Sequence, residues 1–310
     1  MSLTAAVRQG TQMKVYHFKS IEKQENKIIV GIGKFDGVHL GHQKILKKII
    51  QLSEREKSIP SVFTFRHFPA EFYLSPWASK LSLLEKSGIK ICIWSDFEEI
   101  SFWKPDEFLN FLFEKGTCGI VVGFNFRFGE HKKGDIEFLK KKSKERNIIV
   151  EVVNGVKING EVVNSTSIRN FLKKGEIEKV NKFLGRYFSF KGKVITGSCR
   201  GRKLGFPTAN IYLDNKLMIG NGVYAGYVFY KDKFFKAAIN IGAPITFGEK
   251  EKRIEVHIIG FEKEIYGEIL EIFMVRKVRE EKCFSSEKEL EEQIKKDVEF
   301  IKSILPNLRG

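Results

Sequence analysis

The sequence predicts two folds in tandem: an α/β domain built on a parallel sheet, then a small antiparallel β-barrel followed by a C-terminal helix. Three observations predict it. Between Ile28 and about Leu184, short apolar runs rich in β-branched residues alternate with amphipathic helical stretches, the pattern of a doubly wound parallel sheet. From Gly185 the helical period gives way to short segments of alternating polarity between Gly- or charge-rich turns, the pattern of a small barrel. At 310 residues the chain also exceeds one domain of roughly 100 to 200 residues, so two are expected, 14–184 and 185–310. Residues 1–12 lack the apolar core of a signal peptide and read as a tag or upstream extension, with Met13 as the natural start.

The first element is the best marked. Ile28-Ile-Val-Gly-Ile-Gly is an apolar strand ending in glycine, Asp36-Gly37 makes a turn, and Gln43-Lys-Ile-Leu-Lys-Lys-Ile-Ile has apolar residues at helical spacing. Ser61 to Phe65 and Ile89 to Trp94 read as the next strands, and Pro105 to Phe113 as a helix with Pro in its first turn. Gly119-Ile-Val-Val-Gly is a continuous apolar run suited to a strand buried on both faces. A lysine-rich helix from Asp135 to Arg146 and a strand from Ile148 to Val153 follow. In the second half, strands are expected at 187–196, 223–230, 234–241, 254–261 and 268–275. Ser285-Ser-Glu-Lys-Glu-Leu then starts a capped helix that runs to about Leu305.

Chemistry concentrates at the turns. A strand-to-helix junction directs backbone N–H groups and the positive end of a helix dipole at the carboxyl edge of a parallel sheet, where phosphate binds. His39 and His42 stand three apart across that helix start and are able to face one anion; alternatively, one caps the helix and the other packs. Gly123-Phe-Asn-Phe-Arg-Phe-Gly carries three phenylalanines at period two, either core or a platform for a flat aromatic ligand. Asn164-Ser-Thr-Ser-Ile-Arg opens a helix: its hydroxyls cap it, or together with Arg169 grip a triphosphate. Gly197-Ser-Cys-Arg-Gly-Arg-Lys-Leu-Gly-Phe-Pro-Thr-Ala-Asn is either a long surface loop or a second phosphate site, with Thr208 and Asn210 offering hard oxygen ligands suited to Mg²⁺. Arg253-Ile-Glu-Val-His alternates, so Glu255 and His257 share a face. A carboxylate on the inner or mouth face of a barrel needs a partner, which makes Glu255 a candidate general base or one half of a cross-strand ion pair.

Composition narrows the function classes. Lys plus Arg of 54 against Asp plus Glu of 38 gives +16, a surface attractive to anions, yet the lysines fall on amphipathic helix patterns and form no dedicated basic tail. No apolar run is long enough to span a bilayer. Cys92, Cys118, Cys199 and Cys283 have no CxxC spacing, which suits a reducing cytosol and argues against structural zinc. A reducing cytosol is the expected compartment; small-molecule substrates, no nucleic-acid or membrane partner and a monomeric or weakly oligomeric state are expected only with the family resemblance that follows.

Gly33-Lys-Phe-Asp-Gly-Val-His-Leu-Gly-His resembles the HxGH signature of the nucleotidyltransferase superfamily, to which class I aminoacyl-tRNA synthetases also belong. No Lys-Met-Ser-Lys-Ser-like loop or anticodon-binding region accompanies it. With Val122-Gly-Phe-Asn-Phe-Arg-Phe-Gly, Asn164-Ser-Thr-Ser-Ile-Arg and Gly205-Phe-Pro-Thr-Ala-Asn following in family order, residues 14–305 resemble the prokaryotic bifunctional riboflavin kinase/FAD synthetases. The resemblance implies a Rossmann-like nucleotidyltransferase module that adenylylates FMN and a riboflavin-kinase barrel. It further implies Mg²⁺, ATP as co-substrate, and riboflavin, FMN and FAD as substrates or products. In the first module His39, His42 and Arg169 would be catalytic, Gly33, Phe35, Asp36, Gly37, Ser165 and Thr166 would bind ATP, and Asn125, Phe126 and Phe128 would line the flavin site. In the second, Thr208 and Asn210 would meet Mg·ATP, Lys203 phosphate, Glu255 the ribityl hydroxyl proton, and Arg279 the flavin. Lys34, Asn164, the Thr64-Phe-Arg-His-Phe-Pro run with His67, and Pro244 depart from the family pattern.

Overall fold

The structure, a computed structural model, describes residues 13–197, 205–214, 216–242 and 253–308. By backbone proximity the chain divides into two compact units, one ending at Ser165 and the other starting at Thr166.

The first unit is a six-stranded, wholly parallel sheet: β1 (Lys14–His17), β2 (Ile28–Ile32), β3 (Ile59–Phe65), β4 (Ile91–Ser95), β5 (Thr117–Gly123) and β6 (Ile149–Val153), in the order β1-β4-β3-β2-β5-β6. All five residues of β2 are buried, as an apolar run covered on both faces requires. On one face, α1 (Leu40–Arg55) and α2 (Trp77–Lys86) pack Leu46, Ile49 and Leu84 against Ile29, Val62 and Val121. On the other, α4 (Pro105–Glu114) and α5 (Ile136–Lys144), with the short α3 (Phe97–Ile100) before them, bring Ile100, Leu109, Leu112 and Leu139 against Val30, Phe63, Ile93 and Ile120. The alternation of strand residues between these two clusters follows from the two-residue period of a strand. Strand order reverses between β2 and β5, so the carboxyl ends of those two strands flank the crevice in which doubly wound sheets bind ligands. A hairpin, β7 (Lys157–Ile158) and β8 (Glu161–Val162), turns through Asn159 and Gly160, both at positive φ.

The boundary falls after the first residue of α6 (Ser165–Lys174), and the second unit holds the rest of that helix and α7 (Ile177–Leu184). A closed antiparallel barrel follows: β9 (Phe188–Ile195), β10 (Ala209–Tyr212), β11 (Gly222–Tyr230), β12 (Lys233–Gly242), β13 (Arg253–Ile258) and β14 (Ile269–Arg279), then α8 (Glu287–Ile304). Asn181 pins α7 to the barrel. Its Nδ2 donates to the carbonyls of Met274 (2.9 Å) and Val275 (3.1 Å), and its Oδ1 accepts from the Phe188 N–H at 2.7 Å. Outside the barrel, Ile301 and Leu305 pack on Ala225, Tyr227 and Ala238. Ser286 caps α8 by accepting from the Glu289 N–H, and the Glu289 carboxylate accepts from the Ser285 N–H.

The architecture agrees with the sequence expectation, and most predicted elements shift by only a few residues. The sixth barrel strand, β10, falls in the stretch that the sequence presents as a loop or phosphate site, because Pro207 lies two residues before it and only four residues are paired.

Candidate functional site

The loop after β2 is held in an unusual conformation. Phe35, Gly37 and Val38 all have positive φ (48°, 77° and 38°), a left-handed geometry that a β-branched residue adopts only under constraint. The constraints are visible. The Phe35 ring is wholly buried, Asp36 is 1% exposed, and the Asp36 carboxylate accepts from the backbone N–H groups of Leu74 (3.0 Å) and Ser75 (3.2 Å) just ahead of α2. Ser75 Oγ accepts from the Gly37 N–H, Thr64 Oγ1 donates to the Lys34 carbonyl, and Ser165 Oγ donates to the Asp36 carbonyl. Phe35 and Asp36 thus shape the loop through buried side chains, and the Phe35 ring lies 5.3 Å from that of His42.

His39 is the N-cap of α1: its Nδ1 accepts the His42 N–H at 3.3 Å. An accepting Nδ1 carries no proton, so the neutral ring holds its proton on Nε2 as a donor. The His42 ring stacks on it with centroids 3.6 Å apart and planes 19° from parallel. Capping and anion-facing roles, set against each other by the sequence, are therefore compatible. A Cβ on Gly41 would lie 3.1 Å from His39 Cε1, so the bare glycine makes room for the pair.

The loop after β5 lies across the same switch point. Asn125 is exposed, Phe126 is half-buried, and Phe126 stacks on Phe128 with centroids 5.2 Å apart and planes 14° from parallel. Phe128 belongs to the core, packed on Phe108 and Phe138, and backs Phe126. Ser165 starts α6 against the loop after β2, with exposed Thr166 next and Arg169 one turn further on in sequence. The unpredicted anchor of the His67 loop is Asp96. It takes Arg66 Nη2 at 2.6 Å and both the backbone N–H and Nδ1 of His67, at 3.1 and 3.0 Å, and these partners hold its carboxyl below the usual range despite desolvation that pushes it up.

In the barrel, Glu255 lies directly opposite Asn210 on one neighbouring strand and Asn240 on the other. Ile254, Val256 and Ile258 form the buried row of β13, so Glu255 and His257 occupy its opposite, outer face, not the inner one that the sequence left open. The Glu255 carboxylate is 13% exposed and meets Arg253 and, at 3.4 Å, Asn240 Nδ2; both contacts fall on Oε2. Gly197 lies against Asn210, where a Cβ would overlap the side-chain amide. His257 Nδ1 donates to the Pro207 carbonyl at 2.8 Å and so holds the Phe-Pro-Thr-Ala-Asn segment; desolvation keeps this imidazole below its ordinary pKa. Thr208 and Asn210 are half-buried beside this row. Arg279 is bound by the buried Asp297 of α8 at 2.9 Å through both Nε and Nη2. Lys203 and Pro244 lie outside the described residues. Among the described residues no cluster of three or more His, Cys, Asp and Glu is arranged to hold a metal. The hard oxygens of Thr208, Asn210 and Glu255 do fit Mg²⁺, whose other ligands are usually water and phosphate.

Two family models and a set of known proteins match the chain. Residues 21–167 match the FAD synthetase family and residues 184–305 the riboflavin kinase family. The bifunctional riboflavin kinase/FMN adenylyltransferase of Buchnera aphidicola subsp. Schizaphis graminum is 36% identical over 91% of this chain and 96% of that protein. That of Bacillus subtilis is 31% identical over 93% and 96%. A crystal structure described as a macrolide-efflux protein from Streptococcus pneumoniae matches with a TM-score of 0.88 at 27% identity, over 94% of this chain and 100% of that one. Among the described residues no helix is long and apolar enough to cross a membrane. The chain belongs to the family of bifunctional riboflavin kinase/FMN adenylyltransferases.

Proposed function

We propose the following division of labour for the two-step synthesis of flavin cofactors, in which riboflavin and ATP give FMN and ADP, then FMN and ATP give FAD and pyrophosphate. The observation that carries it is the pair of separate residue sets: stacked imidazoles at a helix N-terminus on a switch-point crevice, and a Glu255-centred row on the barrel.

In the first module an FMN phosphate oxygen attacks the α-phosphorus of ATP as the bond to pyrophosphate breaks. His39, through Nε2–H, and His42 stabilise the charge on the phosphoryl oxygens, with the backbone from Gly33 to Gly37 and the α1 N-terminus beneath. Ser165, Thr166 and Arg169 grip the departing phosphates, and Asn125 and Phe126, backed by Phe128, carry the isoalloxazine. In the second module, Glu255 takes the proton from the ribityl 5′-hydroxyl as it attacks the γ-phosphorus. Since Arg253 and Asn240 occupy Oε2, Oε1 is the oxygen assigned to the proton. Thr208 and Asn210 hold Mg²⁺, which when bound neutralises phosphate charge. Lys203 contacts phosphate, and Arg279, fixed by Asp297, orders the flavin side. We further propose functional modules at 14–184 and 185–310, a cytoplasmic monomer or weak oligomer, and no nucleic-acid or membrane partner.

The test is a pair of variants. His42→Ala is expected to lower FAD formation from FMN about 10²- to 10³-fold, as loss of one preorganised donor does elsewhere, with FMN formation from riboflavin unchanged. Glu255→Gln is expected to do the reverse. Equal loss of both steps in either folded variant contradicts the division of labour.

A further inference from the structure

A lysine beneath the phosphate loop is unaccounted for by the chemistry above. Lys80 sits on α2 in the first unit and is 1% exposed, a rarity for a residue whose charge is normally solvated. Its Nζ donates to the Phe65 carbonyl at 2.7 Å, at the carboxyl end of β3, and lies 5.1 Å from the centre of the Phe68 ring and 5.5 Å from that of Trp77. The opposite charge facing it is Asp36, whose own carboxylate clamps Leu74 and Ser75. Lys34 approaches the same Phe68 ring, 5.0 Å from its centre. Lys80 therefore ties α2 to the start of the Phe65–Phe68 loop by a hydrogen bond, and through the charge of Asp36 it acts on the strained loop after β2.

We propose that Lys80 is a positioning residue for adenylyl transfer: its buried ammonium holds the β2 and β3 loops in register, keeping the phosphate-binding backbone and the His67 loop where both substrates meet. It touches neither substrate. The inference rests on the assignment of adenylylation to this unit.

A structural lysine and a positioning one differ in what its loss does. Lys80→Met removes the cost of burying an ammonium but leaves the Phe65 carbonyl without that donor, two effects of opposite sign on stability. A loop displaced by about 1 Å, by contrast, can cost about a hundredfold in rate. Lys80→Met and Lys80→Arg are to be compared with wild type in both half-reactions, alongside thermal unfolding followed by fluorescence of Trp77, Trp94 and Trp103, which all lie in this unit. The expected result for Lys80→Met is a tenfold or greater loss of FAD formation, mainly in kcat, in a unit that is still folded at the assay temperature, with riboflavin phosphorylation unchanged. The bulkier, forked guanidinium of Lys80→Arg is expected not to rescue it. Should Lys80→Met fail to fold, wild type alone decides through the pH profile of FAD formation between pH 7 and 9.5. Asp36 and Cys92 are the titratable groups facing this ammonium; burial lowers its pKa to about 8 and raises that of the Cys92 thiol to about 12. A fall centred near pH 8 in FAD formation, absent from the kinase step, supports the proposal, and a flat profile overturns it. Full FAD formation by a folded Lys80→Met overturns the proposal while leaving the adenylylation reading intact. No FAD from wild type given FMN and ATP overturns both.

Discussion

His39 divides its ring between two tasks, with one nitrogen capping a helix and the other left as a donor at the helix mouth. Such economy is open to reading from sequence, because His-x-x-His after a glycine-ended strand restricts where both rings sit. Glu255 was legible in the same way, through the alternation of Arg253 to His257, although alternation alone did not say which row faces the barrel interior. Lys80 was not legible, because one lysine on an amphipathic helix gives no sign that tertiary packing will bury it. Its burial has a measurable consequence. The folded state lowers its pKa from 10.5 to about 8, so between those values the folded chain holds fewer protons than the unfolded one and stability rises with pH. Relative to Lys80→Met, wild type is expected to gain about 3 kcal/mol in urea unfolding between pH 7 and pH 11. A constant difference across that range contradicts the assignment.

At the level of elements, the parallel sheet declared itself through continuous apolar runs that only a doubly covered strand tolerates. The barrel declared five of its strands by period two. β10 escaped because it begins just two residues after Pro207, at the end of a Gly- and Arg-rich stretch with the composition of a loop. The α6–α7 pair was harder, since a helical period says nothing of what the helix packs against. Asn181 supplies the answer in the structure: it meets two strand carbonyls and one N–H, so α7 is docked by hydrogen bonds that β14 and β9 cannot make otherwise. Asn181→Ala leaves these buried groups without that partner and is expected to lower the stability of the barrel unit by about 3 kcal/mol. Urea unfolding followed by far-ultraviolet circular dichroism checks this, and a change under 1 kcal/mol sinks the docking role.

At the scale of the whole molecule, the proposed division of labour gives the two units chemically different solutions to the same ligand. In that proposal the first relies on a helix N-terminus and imidazoles around a phosphoryl group, the second on oxygens and a carboxylate around a hydroxyl. FMN, product of one, is substrate of the other, so the chain should convert riboflavin to FAD through an intermediate that can be isolated. The direct test is a time course: the pure chain with riboflavin, ATP and Mg²⁺, with flavins separated at intervals. FMN rising first and FAD following at its expense, with ADP and pyrophosphate as the respective by-products, is the expected result. Riboflavin returned unchanged, or FMN that never proceeds to FAD, contradicts the account.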